Sequence, residues 1–169
     1  MNIIELGQRT INREENENMF NKVTREKLTK VHDLISKGKV CIMSDIDVVY
    51  LKNPWDFIIT DMEKYDIIIP KKSDGTYDTG FYLVNPTEKM IELFDFKRSK
   101  KSEYQYLNEE LENCTDIKIK ELSEKEFCGL DYWENNKDDE LPYMIHYKGI
   151  GNGWDKVNAM QANNHWFIK

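Results

Sequence analysis

The chain has 169 residues, enough for one compact domain with its own core and too few for two full domains. Its 24 basic and 31 acidic residues give a formal charge of −7, which repels polyanions and disfavours a nucleic-acid partner. A content of 40% apolar and 12% aromatic residues excludes a disordered chain, and three scattered cysteines without a C-x-x-C pair exclude a disulfide scaffold or a zinc knuckle.

Taken from its start, the sequence MNIIELGQRTINREENE lacks the basic and long apolar regions of a signal peptide, and no later run approaches the roughly 18 apolar residues of a membrane span. The expectation is a soluble, cytoplasmic protein in a reducing compartment. Asn2 to Leu6 predicts a short strand, followed by a polar loop to about Asn21. Thr24 then opens a helix with Leu28, Val31, Leu34 and Ile35 on one face, stopped by Gly38. Lys39 to Met43 is an apolar run suited to a buried strand, with Cys41 in the core. Asn53-Pro54-Trp55 predicts the cap and first turn of a short helix, and Asp66 to Ile69 another buried strand. Asp74-Gly75 marks a turn, and Gly80 to Val84 a strand ending at Asn85-Pro86, which caps a helix carrying Met90, Ile91, Leu93 and Phe94. Ser102 with Gln105 forms a capping box before a helix bearing Leu107 and Leu111. Ile117 and Ile119 alternate with lysines as in a half-exposed strand, a loop runs through Trp133, Tyr143 to Tyr147 forms a last strand, and Asp155 to Gln161 a terminal helix. Alternating strands and helices predict a single α/β domain over residues 1–169.

The most informative segment is Met43-Ser44-Asp45-Ile46-Asp47-Val48-Val49, with two carboxylates one residue apart at the end of a buried strand. In an extended chain alternate side chains share a face, so Asp45 and Asp47 point together while Ile46 turns to the core. Open α/β sheets bind ligands beyond the carboxyl ends of their strands, where this pair falls. Two hard oxygen ligands there suit Mg²⁺ or Mn²⁺ bridging to phosphates. Acids in that position otherwise only cap the next turn or stay solvated.

Ser44-Asp45-Ile46-Asp47 through Pro54 resembles the D-x-D segment of nucleotide-sugar-dependent glycosyltransferases of the GT-A fold, near glycosyltransferase families 8 and 32 and the nucleotide-diphospho-sugar transferase group. Thr24-Arg25-Glu26-Lys27 resembles the helix start before that strand. Asp78-Thr79-Gly80-Phe81 is similar to the family's N-T-G-F, Tyr104 to Asn108 to its D-Q-x-x-L-N, and His146 to Gly149 with Lys156 to its H-x-x-G and following lysine. The resemblance implies a GT-A-like mostly parallel or mixed sheet flanked by helices, and a Mn²⁺- or Mg²⁺-dependent hexosyltransferase-type enzyme. The donor would be a UDP- or GDP-sugar, UDP-sugar first, and the acceptor a glycan, protein or small molecule. It implies metal ligation by Asp45, Asp47 and His146, donor binding by Asp45, Ile46, Asp47, Gly149, Gly151 and Lys156, and a place for Asp78 and Gln105 facing the sugar and acceptor. Glycines 149, 151 and 153 allow close backbone approach to phosphate.

The sequence departs from the family at Asp78, where asparagine is common, at Tyr104 in place of aspartate, and at Val157, where many relatives carry proline after the lysine. The strand–helix–strand unit that usually precedes the helix at Thr24 has only 23 residues here, so the domain is expected to be reduced at its N-terminus, its base pocket missing or completed by a homo-oligomer. Two alternatives follow: a reduced GT-A module that binds sugar or metal without turnover, and a phosphohydrolase of the haloacid-dehalogenase type. The latter also uses D-x-D after a buried strand but requires a later Gly-Asp-x-x-x-Asp cluster, which is absent. Trp154 is expected to be a core anchor, with stacking on a base or sugar as the alternative. His32 reads as structural and His165 as exposed near the chain end.

Overall fold

The computed structural model describes residues 17–60, 62–96 and 101–166, so the strand expected at Asn2 to Leu6 lies outside the described residues. Helix α1 (Glu17–Ile35) begins well before Thr24. Met19 and Val23 stand at helical spacing among polar residues, so the helical pattern extends back past Thr24, and α1 buries Leu28, Val31 and Ile35. Gly38 follows at φ +70, the left-handed stop expected of it.

Among the described residues seven strands form two mixed sheets. The larger, in the order β1-β4-β3-β5, joins β1 (Cys41–Ser44), β4 (Phe81–Val84), β3 (Ile67–Lys71) and β5 (Ile119–Ser123). The smaller, β2-β7-β6, joins β2 (Val48–Tyr50), β7 (Met144–His146) and β6 (Phe127–Gly129). Pairings β1/β4, β3/β4 and β2/β7 are antiparallel, and β3/β5 and β6/β7 are parallel, so the architecture is α/β and mixed.

Strand alternation sorts the core into layers. Ile67 and Ile69 of β3 and Tyr82 and Val84 of β4 face α1, α3 (Glu88–Phe94) and α4 (Glu103–Asn113). Ile68, Phe81 and Leu83 face the opposite way, onto Val48, Phe127 and Met144 of the small sheet. The far side of that sheet, Val49, Cys128 and Ile145, packs with Leu130 of α5 (Leu130–Asn135) and Met160 of α6 (Gly153–Ala162). The order is helices, large sheet, small sheet, helices. Strand β6 and helix α5 replace the expected loop through Trp133, because three and six residues are too short to leave a periodic signature.

Local chemistry sets the ends of the elements. The capping box of Ser102 and Gln105 starts α4 as expected. Asn53 Oδ1 accepts the Trp55 N–H at 3.1 Å, starting α2 (Trp55–Ile59). Helix α3 begins after Thr87, whose hydroxyl makes no capping bond, and it is not capped by Asn85, whose amide instead donates to the carbonyls of Met62 and Tyr65. His165 is buried, against expectation, because the Tyr147 hydroxyl lies 2.7 Å from its Nδ1. Trp154 is 78% exposed and anchors no core. No helix among the described residues is long and apolar enough to cross a membrane.

Candidate active site

The chain leaves the large sheet at Ser44 and enters the small one at Val48, so Asp45, Ile46 and Asp47 span the seam between them. They do so as a turn. Asp45 N–H donates to the Gly80 carbonyl at 2.7 Å, the Asp45 carbonyl accepts from Val48 N–H at 3.2 Å, and the Asp47 carbonyl accepts from Tyr147 N–H at 2.9 Å. Strand alternation thus stops before Asp47, and Ile46 is 75% exposed where continued alternation had turned it to the core. The two carboxylates still converge, directed by the turn and not by a strand face.

His146, the last residue of β7, supplies the third group. Its Nε2 lies 3.4 Å from Asp47 Oδ1 and 3.8 Å from Asp45 Oδ2, and one ligand atom from each of Asp45, Asp47 and His146 falls within 4.8 Å of the others. The ring's Nδ1 lies 2.8 Å from Asp78 Oδ1, and Asp78 Oδ2 accepts from Lys148 Nζ at 2.6 Å. Lys156 Nζ reaches Asp47 Oδ2 from the first turns of α6. Gly80 lies directly against the imidazole: a Cβ built there would stand 2.3 Å from Cε1 and Nδ1.

The electrostatics follow from this packing. Burial alone would lower the His146 pKa, but its bonds to Asp47 and Asp78 raise it to about 9. The ring is therefore charged at neutral pH while no metal is bound, and a cation entering here displaces a proton. Burial alone would raise Asp78, yet His146 and then Lys148 hold its carboxyl well below the usual range.

Asp45, Asp47, His146 and Lys156, expected around a metal and diphosphate, and Asp78, expected to face the sugar and acceptor, all lie at one seam. Lys27 and Glu103, for which the sequence suggests no role, lie there too. Lys27 Nζ donates to Asp45 Oδ1 at 2.7 Å and pairs with Glu103 Oε2 at 2.5 Å, while the Tyr82 hydroxyl donates to Glu103 Oε1 at 2.8 Å. Burial opposes the charge on Lys27, but Glu103 and Asp45 outweigh it and hold the ammonium firmly protonated. Both were findable, because Lys27 precedes Val31 by one turn and Glu103 precedes Leu107 by one turn, which sets charges on buried stripes. Moreover, D-Q-x-x-L-N spans six positions, and counted back from Leu107-Asn108 its acid falls on Glu103 and its glutamine on Tyr104. Gln105 is turned back to its own helix start, its Oε1 accepting the Ser102 N–H at 3.1 Å. Gly149 (φ +78) and Gly151 lie in the loop from β7 to α6, where a Cβ on Gly151 would stand 2.5 Å from Asp155 Oδ2.

A sequence model of nucleotide-diphospho-sugar transferases matches residues 5–160. No curated protein matches the sequence significantly. Among solved structures the fold is similar to that of galactosyltransferase LgtC in complex with donor and acceptor sugar analogs, at 13% identity and a TM-score of 0.51, over 87% of this chain and 68% of that one. It is also similar to the glycosyltransferase GlyE of Streptococcus pneumoniae, at 11% identity and a TM-score of 0.53, over 94% of this chain and 56% of that one. At such identities the likeness is one of fold, and it agrees with the GT-A-like architecture.

Proposed function

Because the chain belongs to the nucleotide-diphospho-sugar transferase family, we propose that it moves a sugar from a UDP- or GDP-sugar to an acceptor, using Mn²⁺ or Mg²⁺ held by Asp45, Asp47 and His146. The observation that carries this is the convergence of three ligand atoms within 4.8 Å at the seam of the sheets. The donor set fits such an ion. Two carboxylate oxygens suit either metal and the imidazole favours Mn²⁺, and an ion held by these three residues would keep the capacity to take further oxygen ligands. Such a cation, when bound, stabilises the negative charge of a departing nucleoside diphosphate as a Lewis acid.

The remaining roles belong to the chain itself. Lys27 and its partner Glu103 fix Asp45 from behind, so that carboxylate need not reorganise when a cation arrives. Lys156 is bound to Asp47 but has a partly exposed side chain, and it turns to neutralise a phosphate once the carboxylate is occupied by metal. The backbone at Gly149, with open space where a side chain would stand, allows close approach of the diphosphate.

The test is a panel of UDP- and GDP-sugars with Mn²⁺, reading nucleoside diphosphate release with and without the metal. Metal-dependent release from one donor is expected. If every donor yields none, the transferase reading fails and a domain that binds without turnover replaces it. Trp154, two residues before Lys156 and 78% exposed, offers its indole to a base or sugar. Trp154→Ala is expected to weaken donor binding about tenfold, within the ~1–3 kcal/mol of one stacked base, with no change in melting temperature. Equal donor affinity in the variant would refute the stacking role.

A further inference from the structure

We infer that Asp78, anchored by Lys148, is a positioning residue that fixes His146 for metal ligation and does not itself meet the sugar. The inference rests on the metal reading above. Asp78 is 3% exposed and both of its carboxylate oxygens are engaged within the protein. Oδ1 accepts from Gly80 N–H at 3.0 Å and faces His146 Nδ1 at 2.8 Å, while Oδ2 takes the Lys148 ammonium at 2.6 Å. Its backbone N–H is bound to the Pro70 carbonyl at 2.9 Å, so the residue is held at both ends. Three of the carboxylate's roughly four acceptor sites are taken by protein groups, and burial keeps a hydroxyl of a donor or acceptor from the fourth.

What the arrangement does is set the imidazole. An ionised carboxylate only accepts, so His146 Nδ1 carries the hydrogen of this bond. The atom turned toward Asp45 and Asp47 is then Nε2, and a neutral ring presents its lone pair there. Capping Gly80 N–H would need one oxygen and no lysine; the bonds to His146 and Lys148 are additional to it. The family's asparagine would set an amide against the Lys148 ammonium, or, flipped, an N–H against Nδ1. Aspartate at 78 and lysine at 148 therefore belong together as one device.

The test is calorimetric titration of the full chain with Mn²⁺ alone, comparing wild type, Asp78→Asn, His146→Asn and the double variant, with thermal unfolding in parallel. Asparagine retains an oxygen for Gly80 N–H, so the fold is expected to survive; Asp78→Ser, which also caps but cannot hold both partners, is the second variant. In either, Mn²⁺ affinity is expected to fall about 10–100-fold, the usual cost of losing the group that orients a ligating histidine. In the His146→Asn background the same change is expected to cost almost nothing, because the effect passes through the ring. A charge effect through space would persist there, and an equal loss in that background would overturn the inference, as would a wild-type dissociation constant in Asp78→Asn. Failure of the wild-type chain to bind Mn²⁺ would overturn the metal reading and this inference with it.

Discussion

Alanine in place of Asp47 is expected to abolish Mn²⁺ binding and to lower donor-dependent nucleoside diphosphate release by about 10²–10³-fold, the scale on which removing one preorganised charge-stabilising group acts. Asp47 faces two cationic groups, His146 through Oδ1 and Lys156 through Oδ2. Burial by itself would raise this carboxyl. The hydrogen bond and charge of His146, and then those of Lys156, outweigh it and hold the group at about 2 against an ordinary 3.8. The sign follows: a depressed carboxyl contributes stability above its unfolded pKa and loses it as the pH falls toward the folded one. Wild type should thus exceed Asp47→Ala by on the order of 2 kcal/mol at neutral pH, and the gap should close between pH 4 and pH 2. Urea unfolding at a series of pH values checks this, and calorimetry with Mn²⁺ checks the site. Unchanged metal binding in the variant would remove Asp47 from the ligand set.

The site was legible where its chemistry is local and obscure where it depends on long-range pairing. Asp45 and Asp47 stand one residue apart after an apolar run, and that density of carboxylate at a strand end needs no partner to be noticed. The orientation of Ile46 was misjudged because nothing local announces that the chain changes sheets within three residues. The bond between Asp78 and His146 joins residues 68 positions apart and exists only because β4 and β7 belong to sheets that meet at this seam. Lys27 and Glu103 lie between these cases. Their helical positions mark them as buried, but that they answer each other, and that Asp45 is their third member, follows only from the packing of α1 and α4 on one face of the large sheet. Elements were recovered where a stripe or alternation runs for a full turn or more, as in α4 or β4. They were missed where the segment is short, as in β6.

Gly80→Ala is expected to damage the site without replacing any charged group. The added methyl would stand 2.3 Å from two atoms of the His146 ring and 2.8 Å from a third, distances at which one side must move. The glycine has little room to yield, because its N–H is bound to Asp78 and its carbonyl holds the Asp45 N–H. The ring has no more, being 5% exposed and held between Asp78 on one side and Asp45 and Asp47 on the other. The cost should therefore fall in two places: about 1–3 kcal/mol of stability from overpacking, and loss of Mn²⁺ affinity as Nε2 is pushed off the carboxylates. These separate in a second variant. Removing the ring in Gly80→Ala/His146→Ala relieves the clash and should return most of the stability, while Mn²⁺ affinity stays well below wild type because the nitrogen ligand is gone. If Gly80→Ala instead keeps both the wild-type unfolding midpoint and the wild-type Mn²⁺ dissociation constant, the ring does not rest against Gly80 in solution, and the geometry drawn for His146 is wrong.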